Sequence, residues 1–431
     1  MINFISRIVF MLGVKKRNPS FLDSYSNLLK TDYAEQSEII QIQRSRLKDL
    51  LVFANNHSSF YKDRFDQVGL NFNRDFDPFE YLRLIDTVTK SELISENERI
   101  HTIKNYQFKK LFFSETSGSS GEPLTFWKNE EWDSINRASI ARGMSWYGVN
   151  LWDRNGYFWG YSFSFLGRLK TSLLDFLQNR FRLFSYYDND IDKFVKKAKK
   201  AKYIHGYSSM IYEVAKKLTA DGTMLKNLKL VKGTSEKIYD HYQDAATKAF
   251  GQKIVSEYGS AEAGIIAFEC PHGSMHINEE NCIVEVVESK IVVTNLASFS
   301  FPIIRYELGD YISLSDTKCK CGRSHKIINE VLGRVGKSIV GKNGSSYPSL
   351  TLYYIFKVLA LDYGVVLNYK AEQHVVGKLK FLLDREITDK ELVLINEVSK
   401  SYFSDALEIE IIPNVLIHDK KKKLKDFESY I

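Results

Sequence analysis

Between Gly156 and Tyr258 the chain alternates short β-rich runs with longer amphipathic ones, and this alternation limits the fold more than any other feature. Gly156-Tyr-Phe-Trp-Gly-Tyr161, Leu228-Lys-Leu-Val-Lys232 and Lys253-Ile-Val-Ser-Glu-Tyr258 read as strands, while residues 191–202, 209–220 and 236–250 carry helical spacing. Strand, helix and strand in succession predict an α/β domain with a parallel sheet. On either side the pattern changes. Over residues 34–55, Ile39, Ile40, Ile42, Leu47, Leu50, Leu51 and Phe53 recur at helical spacing and predict an amphipathic helix. Residues 283–287 and 291–296 are short strands set close together, as in an antiparallel or barrel-like subdomain. Past Gly333, residues 375–383 alternate like one strand, Thr388 caps a helix running to Phe403, and residues 407–412 form another strand. A small α+β C-terminal domain of roughly 95 residues fits ordinary domain sizes.

At 431 residues the chain exceeds one ordinary core, so two or three domains are expected. Apolar residues make up 44% of it, ample for packed interiors. The net charge of +7 is the small difference between 60 basic and 53 acidic side chains, and it does not mark a nucleic-acid binder. With four cysteines and no cleavable signal segment, the expected setting is a reducing one, the cytoplasm. Phe4-Ile-Ser-Arg-Ile-Val-Phe-Met-Leu-Gly-Val14 is too short to span a bilayer and is interrupted by Arg7; Lys15, Lys16 and Arg17 follow it. A core-packing first helix is the preferred reading, and a helix in peripheral contact with a membrane surface is the other.

The chemistry starts at Glu115-Thr-Ser-Gly-Ser-Ser-Gly-Glu-Pro-Leu124, which packs four hydroxyls, two glycines and a proline into ten residues after the apolar Lys110-Leu-Phe-Phe-Ser114. Glycines let backbone N–H groups turn inward, and the hydroxyls add donors suited to phosphate oxygens. The loop reads as a phosphate cradle or, alone, as a flexible surface turn. No Gly-Lys-Ser/Thr follows, which sets it apart from the P-loop nucleotidases. Downstream, Ser256-Glu-Tyr-Gly-Ser-Ala-Glu262 follows a predicted strand, where α/β sheets bind ligands. There Tyr258 could stack on a base, Ser260 could meet a phosphate or carboxylate oxygen, and Glu262 could hold Mg²⁺. Phe301-Pro-Ile-Ile-Arg-Tyr-Glu-Leu-Gly-Asp310 offers Asp310, at a strand end, to a ribose diol, and Gly333-Arg334 follows. Lys420-Lys-Lys-Lys-Leu-Lys425 is by itself a solvated charge run.

In this order, these residues resemble the adenylate-forming superfamily, and within it the phenylacetate-CoA ligase family and its relatives from capsule-polysaccharide clusters. The resemblance covers most of the chain. It includes Thr116-Ser-Gly-Ser-Ser-Gly-Glu-Pro123, Tyr258-Gly-Ser-Ala-Glu262, Phe53-Ala-Asn-Asn-His-Ser-Ser-Phe-Tyr61, Val88-Thr-Lys-Ser-Glu-Leu93, Gly206-Tyr-Ser-Ser209, Gly233-Thr-Ser-Glu236 and Gly333-Arg334 before Tyr347-Pro348.

The resemblance implies an α/β fold with a large N-terminal domain (1–335) holding ATP and a carboxylic acid, and a small α+β C-terminal domain (336–431) that swings between two half-reactions. Thr116, Ser117, Gly118, Ser119 and Gly121 would wrap the β- and γ-phosphates. Ser235 and Glu236 would border the adenine, with Glu257 and Tyr258 opposite and Gly259 and Ser260 in the same ATP-binding turn. Glu262 would bind Mg²⁺, and Asp310 and Arg334 would hold the ribose. The family's catalytic lysine lies in Gly-Lys-x-Arg near the C-terminus; Lys423 matches it, with Lys422 standing for the glycine and Lys425 for the arginine. Two further departures are Gly336-Lys337, where the family has Asp-Asp at the hinge, and Leu308, where it has Thr. The implied reaction is ATP-dependent activation of an acid to an acyl-adenylate, then acyl transfer to CoA thiol or, in the capsule-type relatives, to an amine. A non-catalytic scaffold keeping the fold is the competing class, although Glu262 and the C-terminal lysines are present.

Cys270-Pro-His-Gly-Ser-Met-His276 and Cys319-Lys-Cys-Gly322 supply two pairs of ligands suited to one closed, tetrahedral Zn²⁺ that would staple a subdomain at about 265–330. The ligands would be Cys270, His276, Cys319 and Cys321, with His272 competing for the histidine position. Buried reduced thiols are the alternative. Relatives also carry Glu-Cys and Cys-x-Cys-Gly here, which favours the metal. Cys282 reads as an ordinary core residue. The pairs are not spaced like a nucleic-acid-binding finger, so no nucleic-acid partner is expected. The aromatics of residues 146–165, among them Trp146, Trp152, Tyr157 and Phe158, read as plain core before an acyl pocket. Nothing in the sequence sets the oligomeric state.

Overall fold

The computed structural model describes residues 2–116, 123–158, 165–183, 188–235, 238, 240–288, 290–332, 338–367, 369–415 and 427–431. The N-terminal hundred residues are helical: α1 (Ile2–Arg17), α2 (Phe21–Lys30), α3 (Gln36–His57), α4 (Ser59–Gln67), α5 (Pro78–Leu84), α6 (Lys90–Ser95) and α7 (Asn97–Ile100). Local chemistry sets their starts. Ser58 accepts from the Tyr61 N–H to open α4, Asp77 accepts from Phe79 N–H with Pro78 behind it, and Thr89 and Glu92 form a reciprocal capping box on α6. Two of the motifs that carried the family resemblance, residues 53–61 and 88–93, are thus helix junctions.

A hairpin of β1 (Leu111–Glu115) and β2 (Thr125–Asn129) leads into α8 (Glu130–Ser145). The predicted alternation then appears as β3 (Asn155–Phe158), α9 (Phe165–Leu177), β4 (Arg180–Arg182), α10 (Asp188–Ala198), β5 (Tyr203–Tyr207), α11 (Ser208–Ala220), β6 (Leu230–Thr234), α12 (Asp240–Phe250) and β7 (Val255–Ser260). The pairs β4–β3, β3–β5, β5–β6 and β6–β7 are all parallel. Period-two alternation divides the faces. Phe158, Phe181, Ile204 and Val231 pack under α10–α12 with Phe194, Ile211, Val214 and Phe250, whereas Tyr203, Leu230 and Val255 pack with Met144 of α8.

The antiparallel strands do not form a separate sheet. β8 (Gly264–Glu269), β9 (Met275–Ile277), β10 (Cys282–Val287), β11 (Lys290–Asn295), β12 (Tyr306–Ser315) and β13 (Ile327–Leu332) extend the same eleven-stranded sheet, ordered β10-β11-β12-β13-β9-β8-β7-β6-β5-β3-β4. Their inner face meets α3–α6 in the largest core, around Leu47, Tyr61, Phe65, Ile266, Val293 and Tyr306.

The C-terminal part has its own core. β14 (Ser338–Val340), β15 (Ser346–Pro348), α13 (Leu350–Tyr363), β16 (Tyr369–Val375), β17 (Lys378–Leu383), α14 (Asp389–Phe403), β18 (Glu408–Ile412) and β19 (Phe427–Ser429) bury Ile339, Ile355, Phe381, Ile395, Phe403 and Phe427 together. Thr388 and Glu391 form the capping box that starts α14. The single strand read over 375–383 is instead a turn and a strand: Gly377, at φ +79°, reverses the chain so that β16 and β17 pair antiparallel. The body meets this unit where the buried Tyr207 and Tyr354 hydroxyls share a hydrogen bond.

Candidate functional site

β1 and β2 pair from Leu111↔Asn129 to Glu115↔Thr125, so the Ser/Gly segment connects two antiparallel strands. Its neck is closed by Thr116. The Thr116 N–H donates to the Leu124 carbonyl at 2.9 Å, and the Leu124 N–H donates back to Thr116 Oγ1 at 2.9 Å. Ser117, Gly118, Ser119 and Gly121 lie outside the described residues, as do Glu236, Arg334 and Lys423.

At the carboxyl end of β7 the structure brings together residues far apart in sequence. The Tyr258 hydroxyl donates to Asp310 Oδ2 at 2.7 Å, and the Tyr306 hydroxyl donates to Glu262 Oε1 at 2.9 Å. β7 and β12 are four strand spacings apart, about 19 Å on a flat sheet, so side chains can span them only because the sheet curls. Bulges aim the groups. The β7–β8 register shifts between Tyr258 and Gly259, and the β11–β12 register shifts where Leu308, Gly309 and Asp310 face Lys290–Val292. Gly309 has φ +86°, open to glycine at little cost. A Cβ on Gly259 would lie 2.2 Å from the Gly264 carbonyl oxygen, so no larger residue fits that turn. Asp310 therefore sits at a bulge inside a ten-residue strand, not at a strand end as expected.

Other expected residues carry structural duties as well. Glu262 is buried at 6% exposure, on the turn from β7 to β8. Ser260 Oγ accepts from the Ala263 N–H at 3.0 Å and pins that turn. Glu257 is buried and takes a 2.6 Å bond from Lys232 Nζ on β6. Its carboxylate is committed to that ion pair, which leaves the backbone of residues 257–258 to border a ligand. Ser235, just past β6, has φ +67° and is exposed. Leu308 is buried in the main core.

Sequence reasoning passed over Lys232, Tyr306 and Lys128. A lone lysine in the apolar run Leu230-Val-Lys-Gly-Thr234 was the available signal for Lys232, since a charge buried in a strand needs a counter-ion. Lys128 on β2 lies 5.5 Å from the Phe126 ring centroid and 5.4 Å from that of Trp132. Burial pushes its pKa below the usual lysine range, against the pull of the Asp133 and Glu262 carboxylates. The aromatics of residues 146–165 scatter among the described positions: Trp146 stacks under Arg323, Trp152 under Phe10 of α1, and Phe158 in the helix-side core.

A second cluster closes the far side of the curl. The donor atoms of Cys270, His276, Cys319 and Cys321 all lie within 4.8 Å of one another. Cys270 directly follows β8, His276 is on β9, and Cys319 and Cys321 lie between β12 and β13. The Cys270 and Cys319 sulfurs are 3.6 Å apart, and His276 Nε2 is 3.2 Å from Cys321 Sγ. Sulfurs at two corners of a zinc tetrahedron would be about 3.8 Å apart, close to the 3.6 Å between Cys270 and Cys319. His276 Nδ1 faces the His325 carbonyl at 3.2 Å, which keeps the proton there and turns Nε2 toward the thiols. Burial lowers the His276 pKa to about 4, and burial raises that of Cys270 to about 12. His272 is exposed and outside the set, and Cys282 is buried with its thiol on the Asn278 carbonyl.

Behind the cluster runs a buried charge network. Arg142 of α8 bonds Glu280 at 2.6 Å and Asn278 at 2.6 Å, His325 meets Glu280 at 2.9 Å, and Arg323 reaches Asp32 at 2.9 Å. Desolvation acts to raise the Glu280 pKa, but Arg142 and His325 outweigh it and hold the carboxyl well below its usual range.

No known family's profile matches the chain. Over 304 residues it is 19% identical to Protein CapK of Staphylococcus aureus, covering 65% of this chain and 64% of that protein. Over 174 residues it is 26% identical to phenylacetate-coenzyme A ligase of Thermus thermophilus, covering 37% and 36%. The chain thus spans less than two thirds of the length of either curated relative. Among solved structures, 2-hydroxyisobutyryl-CoA ligase with 2-HIB-AMP and CoA in the thioesterification state superposes with a TM-score of 0.61 at 16% identity, over 93% of this chain and 91% of that one. An open conformation of the same ligase gives 0.57 at 15% identity, over 92% and 93%. The chain thus has the fold of these CoA-ligase structures, and parts of its sequence are similar to CapK and to phenylacetate-coenzyme A ligase, in line with the resemblance of its ordered motifs.

Proposed function

We propose that the chain is an ATP-dependent ligase that activates a carboxylic acid as an acyl-adenylate and passes the acyl group to CoA. The observation that carries this reading is the pair of bonds from Tyr258 to Asp310 and from Tyr306 to Glu262. They gather, beside one turn, an acidic group suited to a ribose diol and one suited to a phosphate-bound cation. In the first step a carboxylate oxygen attacks the α-phosphorus, the bond to the bridging oxygen breaks, and pyrophosphate leaves. In the second, a thiol sulfur attacks the acyl carbon, AMP departs, and the thiol proton passes to solvent.

Both reactants of the first step are anionic, so catalysis needs cations and donors fixed where charge develops. Glu262 would hold Mg²⁺, which offsets the phosphate charge. The loop of Thr116, Ser117, Gly118, Ser119 and Gly121 would grip the departing pyrophosphate through its N–H and O–H donors. Asp310 and Arg334 would hold the ribose; Ser235 and Glu236 would border the adenine opposite the backbone of Glu257, Tyr258 and Gly259. Lys423, on a unit that swings about residues near Gly336 and Lys337, would bring its ammonium to the phosphorus. Cys270, His276, Cys319 and Cys321 would hold one Zn²⁺ with no open position, a structural ion that ties the β8–β9 turn to the β12–β13 loop.

Mass spectrometry of the product made with ATP and an accepted acid, with and without CoA, tests the acceptor: a thioester supports the proposal, and an amide formed with an added amine replaces it. Lys423→Ala is expected to slow adenylation by roughly a hundredfold or more, the range for a lost charge-stabilising group, with the melting temperature unchanged. Full activity in that variant would remove Lys423 from the mechanism.

A further inference from the structure

We propose that α1 and α9 together form a membrane-surface docking face for anionic lipid. α1 is apolar on two opposite sides. Phe10 and Val14 point inward, onto Phe21, Trp152, Ala138 and Ala141, while Phe4, Ile5, Ile8 and Leu12 are 67%, 55%, 45% and 64% exposed. The body covers one of these apolar sides and leaves the other exposed. The uncovered side opens into a groove of about 670 Å³ lined by Phe4, Ile8, Met11, Leu12, Pro19 and Leu22.

α9 repeats the pattern. Leu169, Leu173, Phe176 and Leu177, spaced along one face, are 64%, 61%, 78% and 41% exposed. α1 and the segment just past α9 are both tied to Trp152. Phe10 lies 5.5 Å from the Trp152 ring, Arg7 lies 5.5 Å from the same ring, and Asn179, just past α9, donates to the Trp152 carbonyl at 3.4 Å. α1 is also fastened to the body, because Lys110 Nζ donates to the Lys16 and Arg17 carbonyls at 2.9 and 3.0 Å. The face is therefore a built surface and not a loose arm.

Charge selects the occupant. Residues 1–22 carry Arg7, Lys15, Lys16 and Arg17 and no acidic side chain. On α9, Lys170 is exposed, and the acidic Asp175 is buried against Arg182 at 3.0 Å. Arg17 faces Asp133 at 3.7 Å, but large apolar side chains rimmed by Arg7, Lys15, Lys16 and Lys170 match a bilayer interface with anionic headgroups. A second copy of the chain would bring the same cations against one another.

Co-sedimentation of the full chain with vesicles, without ATP, tests this independently of the adenylation reading. The expected result is pelleting with phosphatidylcholine vesicles containing phosphatidylglycerol, little with phosphatidylcholine alone, and release by salt. The exposed substitutions Leu12→Glu and Leu173→Glu together should weaken binding by about tenfold or more while thermal unfolding is unchanged. Lys15→Glu with Lys16→Glu should remove the salt-sensitive part. A wild-type chain that stays in the supernatant with both vesicles, or binding that the leucine substitutions leave intact, overturns the proposal. So does a dimer in sedimentation equilibrium that Leu173→Glu dissolves, since the face would then belong to a second copy.

Discussion

The curled sheet has two ends that use the same kinds of side chain differently. Around the Cys/His cluster, Arg142 and Glu280 are 1% and 2% exposed and bonded to each other and to their neighbours. At the carboxyl end of β7, Tyr258, Ser260 and Asp310 are only half-buried, with the Tyr258 hydroxyl donating to Asp310 and Ser260 Oγ accepting from the Ala263 N–H. A network whose buried charges are paired with one another holds shape. Polar groups held in place but still half-exposed can meet a ligand.

If that division is right, changes at the first end should cost stability and changes at the second should cost binding. The largest effect is expected from Arg142→Ala, which leaves Glu280 buried without its main counter-ion; urea unfolding should show a loss of roughly 3–5 kcal/mol. A loss below about 1 kcal/mol would mean that water reaches the network. Next comes the metal. Dialysis against a strong chelator, followed by scanning calorimetry and elemental analysis, should remove one zinc per chain and lower stability by about 2 kcal/mol or more, restored by zinc alone. The smallest effect is Asp310→Ala, expected to raise the KM for ATP by about tenfold, the worth of one or two charge-assisted hydrogen bonds, with little change in unfolding. An Asp310→Ala chain that unfolds early but binds ATP normally would erase the distinction between the ends.

The two ends also differed in how far the sequence disclosed them. Cys270, His276, Cys319 and Cys321 were legible because thiolate and imidazole pairs at short spacing have few uses, and the structure chose His276 over His272 by placing it on β9. Thr388 was legible because a capping box is local, four residues deciding one helix start. Asp310 could be singled out as a residue, but its bulge could not. That bulge depends on how β12 pairs with β11, which no single segment encodes. The Lys232–Glu257 pair was hidden for the same reason, since it joins adjacent strands 25 residues apart. The turn at Gly377 was missed because Val375 and Val376 continue an apolar pattern straight into it. α8 gave a weak signal because it buries Glu130 and Arg142 along with its apolar residues.

The central claim is that the groups at the end of β7 serve adenylation. Acid-dependent exchange of labelled pyrophosphate into ATP, with Mg²⁺ and a broad panel of carboxylic acids, measures that half-reaction without any acceptor. The account predicts exchange with at least one acid, lost in Glu262→Gln and in Lys423→Ala while both variants remain folded. Silence of the wild-type chain across the panel, or exchange untouched by Glu262→Gln, would contradict it.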